Sequence, residues 1–135
     1  MALIFLNGGA MRGGPLHAQL KGAPLVRTAR SAARYKFYSV RDEFPAMDAA
    51  QAGDGPGCVV LGEVYDIPLE TLRDHLLPAE PPELELGVIE LDDGTGCLAT
   101  VLRHPVGDPE ELLDISDIGD WRVYLNALAQ AGRAE

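Results

Sequence analysis

The sequence predicts an α+β fold: a small, mainly antiparallel β-sheet or barrel with a few short helices. Three observations predict it. Apolar and polar residues alternate with period two over several short segments, the signature of half-buried strands. Gly (15) and Pro (10) fall between those segments rather than in low-complexity tracts, so many short elements are joined by turns. No strand–helix–strand repetition runs along the chain, which argues against a parallel, doubly wound sheet.

In chain order, Leu3 to Leu6 is a short apolar run that fits a central strand. The segment from Asn7 to Pro15 carries Gly8, Gly9, Gly13 and Gly14, and Pro15 can open a short helix over Leu16 to Leu20. Leu25 to Ser31 and Arg34 to Val40 alternate as strands. The short connection between them predicts antiparallel neighbours. Residues 41–57 read as a long loop, ending in Gly53, Gly55, Pro56 and Gly57. Cys58 to Asp66 is a strand apolar on both faces except for Glu63. Pro68 then starts a helix with Leu69, Leu72, Leu76 and Leu77 as its buried stripe, capped by Asp66 or the local backbone and ended by Pro78 to Pro82. Leu84 to Leu91 is a strand whose apolar face switches beside Gly87, predicting a bulge. Asp93-Gly94 marks a hairpin turn to the strand Cys97 to Arg103. Residues 104–119 read as irregular. Trp121, Tyr124, Leu125 and Leu128 recur at helical spacing, so a final helix docks through Trp121.

With 135 residues the chain is read as one domain, residues 1–135, and no amidase segment is expected in it. The apolar runs fall far short of the roughly 20 residues that cross a bilayer, and the N-terminus lacks the basic region of a signal peptide. A cytoplasmic location and no membrane contact are therefore expected. In that setting Cys58 and Cys97 are expected as free thiols. His17, His75 and His104 sit in no metal-ligand spacing, so neither a metal nor another cofactor is expected.

The net charge of −10 is unevenly spread. Residues 1–41 hold seven Lys/Arg and no acid, whereas residues 42–135 hold the other four bases and all 21 acids. One reading is that basic strands pair with acidic ones. The other is a positive field around the N-terminal segment that attracts a small anion. A pI near 4.6 and the lack of a basic-aromatic motif argue against nucleic acid. No nucleophile elbow surrounds Ser31, Ser39 or Ser116, and no dinucleotide fingerprint follows a strand.

The order of a short strand, a glycine-rich loop, then Gly62-Glu63-Val64-Tyr65 and a helix resembles gamma-glutamylcyclotransferase-like proteins. Their loop has the form Tyr-Gly-Ser-Leu/Thr-Leu, and here it is Asn7-Gly8-Gly9-Ala10-Met11. The C-terminal domain of allophanate hydrolase is more similar still. Gly13-Gly14-Pro15-Leu16-His17-Ala18-Gln19-Leu20 is similar to its Gly-x-Pro-Leu-Asn-x-Gln-Leu. The stretch from Thr28 to Tyr38 is similar to its Ala-Thr-Arg-Thr-Ala-Pro-x-Tyr-Arg-Leu-Tyr, and Glu63-Val64-Tyr65 to its Glu-Val-Trp. Asp114-Ile115-Ser116 and Trp121 to Leu125 are similar to its Asp-Ile-Thr/Ser and Gly-Trp-Arg-Ala-Tyr-Leu ending.

The resemblance implies a small barrel with a pocket in which loop amides hold a carboxylate. In allophanate hydrolase this domain finishes the breakdown of N-carboxycarbamate after an amidase domain acts first. Two positions depart from the pattern: Ala10 stands where a histidine is expected, and His17 stands for an asparagine. The cyclotransferase relatives use a glutamate after the strand and helix as general acid/base, and Glu80 falls there. Its alternative is a solvated residue in the loop Glu80-Pro81-Pro82-Glu83. Glu63 is the second candidate; its alternative is a core carboxylate paired with a base such as Arg34. Asn7, Gly8, Gly9, Ala10, Met11, His17 and Tyr38 are the candidate ligand contacts. The expected activity is carbamate/allophanate-type or gamma-glutamyl-type chemistry on a small carboxylated nitrogen compound. The alternative is a non-catalytic binding domain, or an assembly partner of a separate amidase.

Overall fold

The computed structural model describes residues 2–51, 53 and 55–134. Ala52 and Asp54, parts of the 41–57 loop read above, lie outside the described residues. Eight strands among the described residues form two sheets. The larger has the order β2-β5-β1-β7-β6, built from Leu25–Arg30 (β2), Leu61–Ile67 (β5), Ala2–Leu6 (β1), Gly96–Leu102 (β7) and Leu84–Glu90 (β6). The smaller has the order β4-β3-β8, from Phe44–Ala49 (β4), Tyr35–Val40 (β3) and Leu112–Asp114 (β8). Only β1 and β7 pair in parallel among these ladders. The fold is thus the mixed, mainly antiparallel α+β architecture expected, in open sheets rather than a closed barrel. The edges of the larger sheet approach at one corner, where Ser31 bridges Leu91, but the ladder goes no further among the described residues.

Several local expectations change. The strands β2 and β3 are not neighbours: β2 pairs with β5, and β3 lies between β4 and β8. Ser31 to Arg34 carries the chain from one sheet to the other instead of closing a hairpin. Within the expected 41–57 loop lies β4, in register with β3 from Val40↔Phe44 to Tyr35↔Ala49. Its turn has no glycine. Arg41 and Asp42 take positive φ of 53° and 58°, and hydrogen bonds from Ser39 and Tyr124 to the Asp42 carboxylate hold them there. Part of the irregular 104–119 stretch is β8.

The bulge expected at Gly87 is absent: β6 and β7 stay in register from Leu84↔Leu102 to Glu90↔Gly96. The apolar pattern switches because Leu84 packs in the small cluster with Val40, Ala46 and Leu102, while Ile89 and Leu91 face the main core. The register shift lies instead in β2, between Leu25 and Arg27. The Asp93-Gly94 turn is as read, with Gly94 at φ 87°.

Helical turns Leu69–Thr71, Leu72–Leu76 and Leu77–Ala79 follow β5 without a break, the middle one widened to π geometry. No side chain caps the start, at Pro68. Leu72 and Leu76 are buried, worth about 2 kcal/mol each, whereas Leu69 is exposed. In the final helix, Trp121–Ala134, Trp121 and Tyr124 are buried and stacked 5.5 Å apart. Leu125 and Leu128 stay largely exposed. No helix among the described residues is long and apolar enough to cross a membrane.

Candidate active site

The loop from Asn7 to Gly14 leaves β1 and folds back on itself. Met11 N–H donates to the Gly8 carbonyl at 3.1 Å, and Leu16 N–H to the Gly9 carbonyl at 2.8 Å. Gly14 permits the fold: a Cβ there would lie 2.1 Å from the Gly9 oxygen. Among the described residues, the amides of Gly8, Gly9 and Ala10 donate to no backbone carbonyl.

These three residues line a cavity of about 220 Å³. Leu6, Asn7 and Thr100 also line it, as do Phe44 and Pro45 from β4 and Glu80 at the end of the helical stretch. The last helical turn ends at Ala79, and Glu80 turns to extended backbone (φ −75°, ψ 149°), which takes it off the helix and into the cavity wall. Burial alone pushes its carboxyl up to about 7. No base, hydroxyl or amide among the described residues bonds that carboxyl.

Glu63 lies behind the loop and is wholly buried. Burial would raise its pKa, but its partners outweigh that and hold it below the usual carboxylate range. The Arg12 amide donates to it at 2.9 Å, the Arg12 guanidinium at 2.7 Å and the Tyr65 hydroxyl at 2.9 Å. Arg122 stands 3.5 Å away. Glu63 is therefore the paired core carboxylate of the alternative reading, with Arg12 as its partner; Arg34 pairs with Glu90. Tyr65, in turn, is pushed up to about 12 by burial and by the Glu63 contact.

Of the candidate contacts, Asn7, Gly8, Gly9 and Ala10 come together in the cavity, with the acid/base candidate Glu80. Met11 does not line it; its side chain is buried and its amide is taken by Gly8. His17 sits outside the lining and donates from Nδ1 to the Ala10 carbonyl at 3.1 Å. Tyr38 packs against the small cluster of Val40 and Leu102. The positive field expected around the loop is not found in the cavity, whose charged lining is Glu43 and Glu80. The early bases pair with later acids instead: Arg12 with Glu63, Arg34 with Glu90, Lys36 with Asp114, and Arg41 with Glu43 and Glu83. The helix expected after Pro15 is a four-residue 3-10 turn, His17–Leu20, too short to add a useful dipole.

Sequence reasoning missed Thr100, a polar residue in an otherwise apolar strand, and Phe44 and Pro45, hidden in the unrecognised β4. Both cysteines are free thiols. Among the described residues no group of three or more His, Cys, Asp or Glu side chains is placed to hold a metal ion.

Two open sheets, mainly antiparallel, and short helices define an α+β protein of the gamma-glutamylcyclotransferase-like fold. An AIG2-like protein of Mus musculus shares it, at a TM-score of 0.54 and 22% identity over 82% of this chain and 81% of that one. Residues 2–126 match the Allophanate hydrolase C-terminal domain family, and the chain belongs to that family. The E. coli protein c4763, described as specific to uropathogenic E. coli, is 31% identical with a TM-score of 0.83, over 93% of this chain and 95% of that one. Allophanate hydrolase of Kluyveromyces lactis matches 92% of this chain at 23% identity and a TM-score of 0.81, but the match spans only 21% of that larger protein. No curated protein sequence matches the chain.

Proposed function

We propose that this protein is an acid/base enzyme acting on a small carboxylated nitrogen compound of the carbamate or allophanate type. The observation that carries the reading is Glu80: a carboxyl raised to about 7 by burial alone, in one cavity with three unengaged loop amides. The amides of Gly8, Gly9 and Ala10 hold the substrate carboxylate, as a backbone nest holds an anion. Protonated Glu80 then supplies the proton. As the bond from nitrogen to the carboxylate carbon breaks, its electron pair takes the Glu80 proton, so R–NH–COO⁻ and Glu80–COOH become R–NH₂, CO₂ and Glu80–COO⁻. A pKa near the working pH suits this duty. Membership of the Allophanate hydrolase C-terminal domain family favours the carbamate class over gamma-glutamyl substrates. No cofactor takes part in this scheme.

A second reading is assembly with a separate amidase. It is favoured by the K. lactis match, where a region like this one makes up about a fifth of a larger hydrolase.

The test of the first reading is an NMR titration of the labelled protein with malonate. Gly8, Gly9 and Ala10 amide resonances are expected to shift at millimolar ligand. Binding is expected to weaken as pH rises through about 7, where Glu80 ionises against the anion, and Glu80→Gln is expected to abolish that dependence. Loop amides unmoved at every pH would refute the reading.

A further inference from the structure

Two more polar groups of the cavity have unspent hydrogen-bonding capacity. Asn7 is only 6% exposed. Its Nδ2 donates to the Met47 sulfur at 3.1 Å, which orients the carboxamide, and no donor among the described residues reaches its Oδ1. Thr100 is only 8% exposed. The parallel register Phe5↔Ala99 sets it beside Leu6, so both face the cavity they line. No hydrogen bond to the Thr100 hydroxyl exists among the described residues.

Buried polar groups are nearly always hydrogen-bonded, because an unmade bond in a desolvated place is unfavourable. The Asn7 oxygen and the Thr100 hydroxyl are not sealed off but open on the cavity, so a ligand that fills it displaces the water they would bond and must replace those bonds itself. Their kinds differ. The loop amides donate only, the Asn7 oxygen accepts only, and the Thr100 hydroxyl does both. A ligand that meets all of them offers anionic oxygen to the loop and N–H to Asn7.

Building on the cavity as an anion site, we infer that Asn7 and Thr100 are its specificity-determining residues, selecting an amide nitrogen on the ligand against a carbon group of the same shape. The loop decides that the ligand is an anion; this pair decides that it is a nitrogen compound. A site that must hydrogen-bond one group rejects the analogue lacking it, because its own polar atoms are then left unpaired.

Succinamate and levulinate test this, since they differ only in an amide NH₂ against a methyl group. Titration calorimetry is run on the whole chain with Glu80 protonated. Wild type is expected to prefer succinamate by about tenfold. Thr100→Val and Asn7→Leu are each expected to erase most of that preference while levulinate affinity holds. Thr100→Ser, which keeps the hydroxyl, is expected to retain it. Thermal melts verify that the variants fold, and if Asn7→Leu does not, the Thr100→Val and Thr100→Ser pair decides. Equal binding of the two ligands by wild type overturns the inference and leaves the anion site standing. Folded variants that keep the full preference overturn it as well. Binding of neither ligand removes the anion site and the inference together.

Discussion

Glu63 and Glu80 are both carboxyls withdrawn from water near the same glycine loop, yet their surroundings shift their pKa values in opposite directions. Glu63 is the more deeply buried, and its pKa goes down because the Arg12 amide and guanidinium and the Tyr65 hydroxyl all bond its ionised form. Glu80 is only partly buried, and its pKa goes up because nothing compensates its desolvation. Depth alone does not set the charge of a buried acid; its partners do. Glu63 is spent on structure, anchoring the loop through Arg12. Glu80 has no such partner among the described residues.

Removing each carboxyl is the direct way to break this comparison. The largest effect is expected for Glu63→Ala, which strips Arg12 and Tyr65 of their acceptor and leaves a hole beside the loop. Arg12 is exposed and stays hydrated, so the loss comes from the cavity and the unpaired Tyr65 hydroxyl, and urea denaturation is expected to show about 3–5 kcal/mol. A loss under about 1 kcal/mol would mean that the pair contributes little and that the loop is held by other contacts.

For Glu80 the sign reverses. Its folded pKa of about 7 exceeds the ordinary carboxyl value of 4.5, so between those values the native state binds a proton that the unfolded chain has released. Stability from this group is whole below the unfolded pKa and is lost as pH rises to about 7. Glu80→Gln carries no such loss. It is expected to match wild type near pH 4 and to be more stable near pH 8 by about 3 kcal/mol. Equal differences at both pH values would show that Glu80 is solvated after all. For Glu63, stability is present above the unfolded pKa and falls away as acid protonates the folded carboxyl, so the two acids titrate stability in opposite directions.

The smallest expected effect sharpens the contrast between holding the loop and using it. A Cβ on Gly9 would meet Pro15 at 3.5 Å, an ordinary contact, and its backbone is not left-handed. Gly9→Ala is expected to change stability by no more than about 0.5 kcal/mol while weakening malonate binding in the cavity that Gly9 lines. Unchanged affinity in a calorimetric titration would place the anion elsewhere.

Sequence by itself determined the α+β class, the strands whose alternation is unbroken, the Asp93-Gly94 turn and the anchoring of the last helix by Trp121. These rest on local periodicity and turn chemistry, which are written in neighbouring residues. It also singled out Glu80 and the loop from Asn7 to Ala10, largely through the family pattern. It did not show β4 or β8. The turn before β4 is Arg41-Asp42 in place of a glycine pair, and β8 is three residues long, so neither carries a local signal. Only the tertiary structure decided which sheet each strand joined, since pairing depends on residues far apart in the chain. It alone brought Arg12 across to Glu63, 51 positions away, and neutralised the early bases against later acids. The same long-range packing gave the two glutamates opposite pKa shifts. For Glu63 the groups that set its charge include Arg12, from a distant loop, and for Glu80 it is burial in the folded chain, and neither is visible in the local sequence.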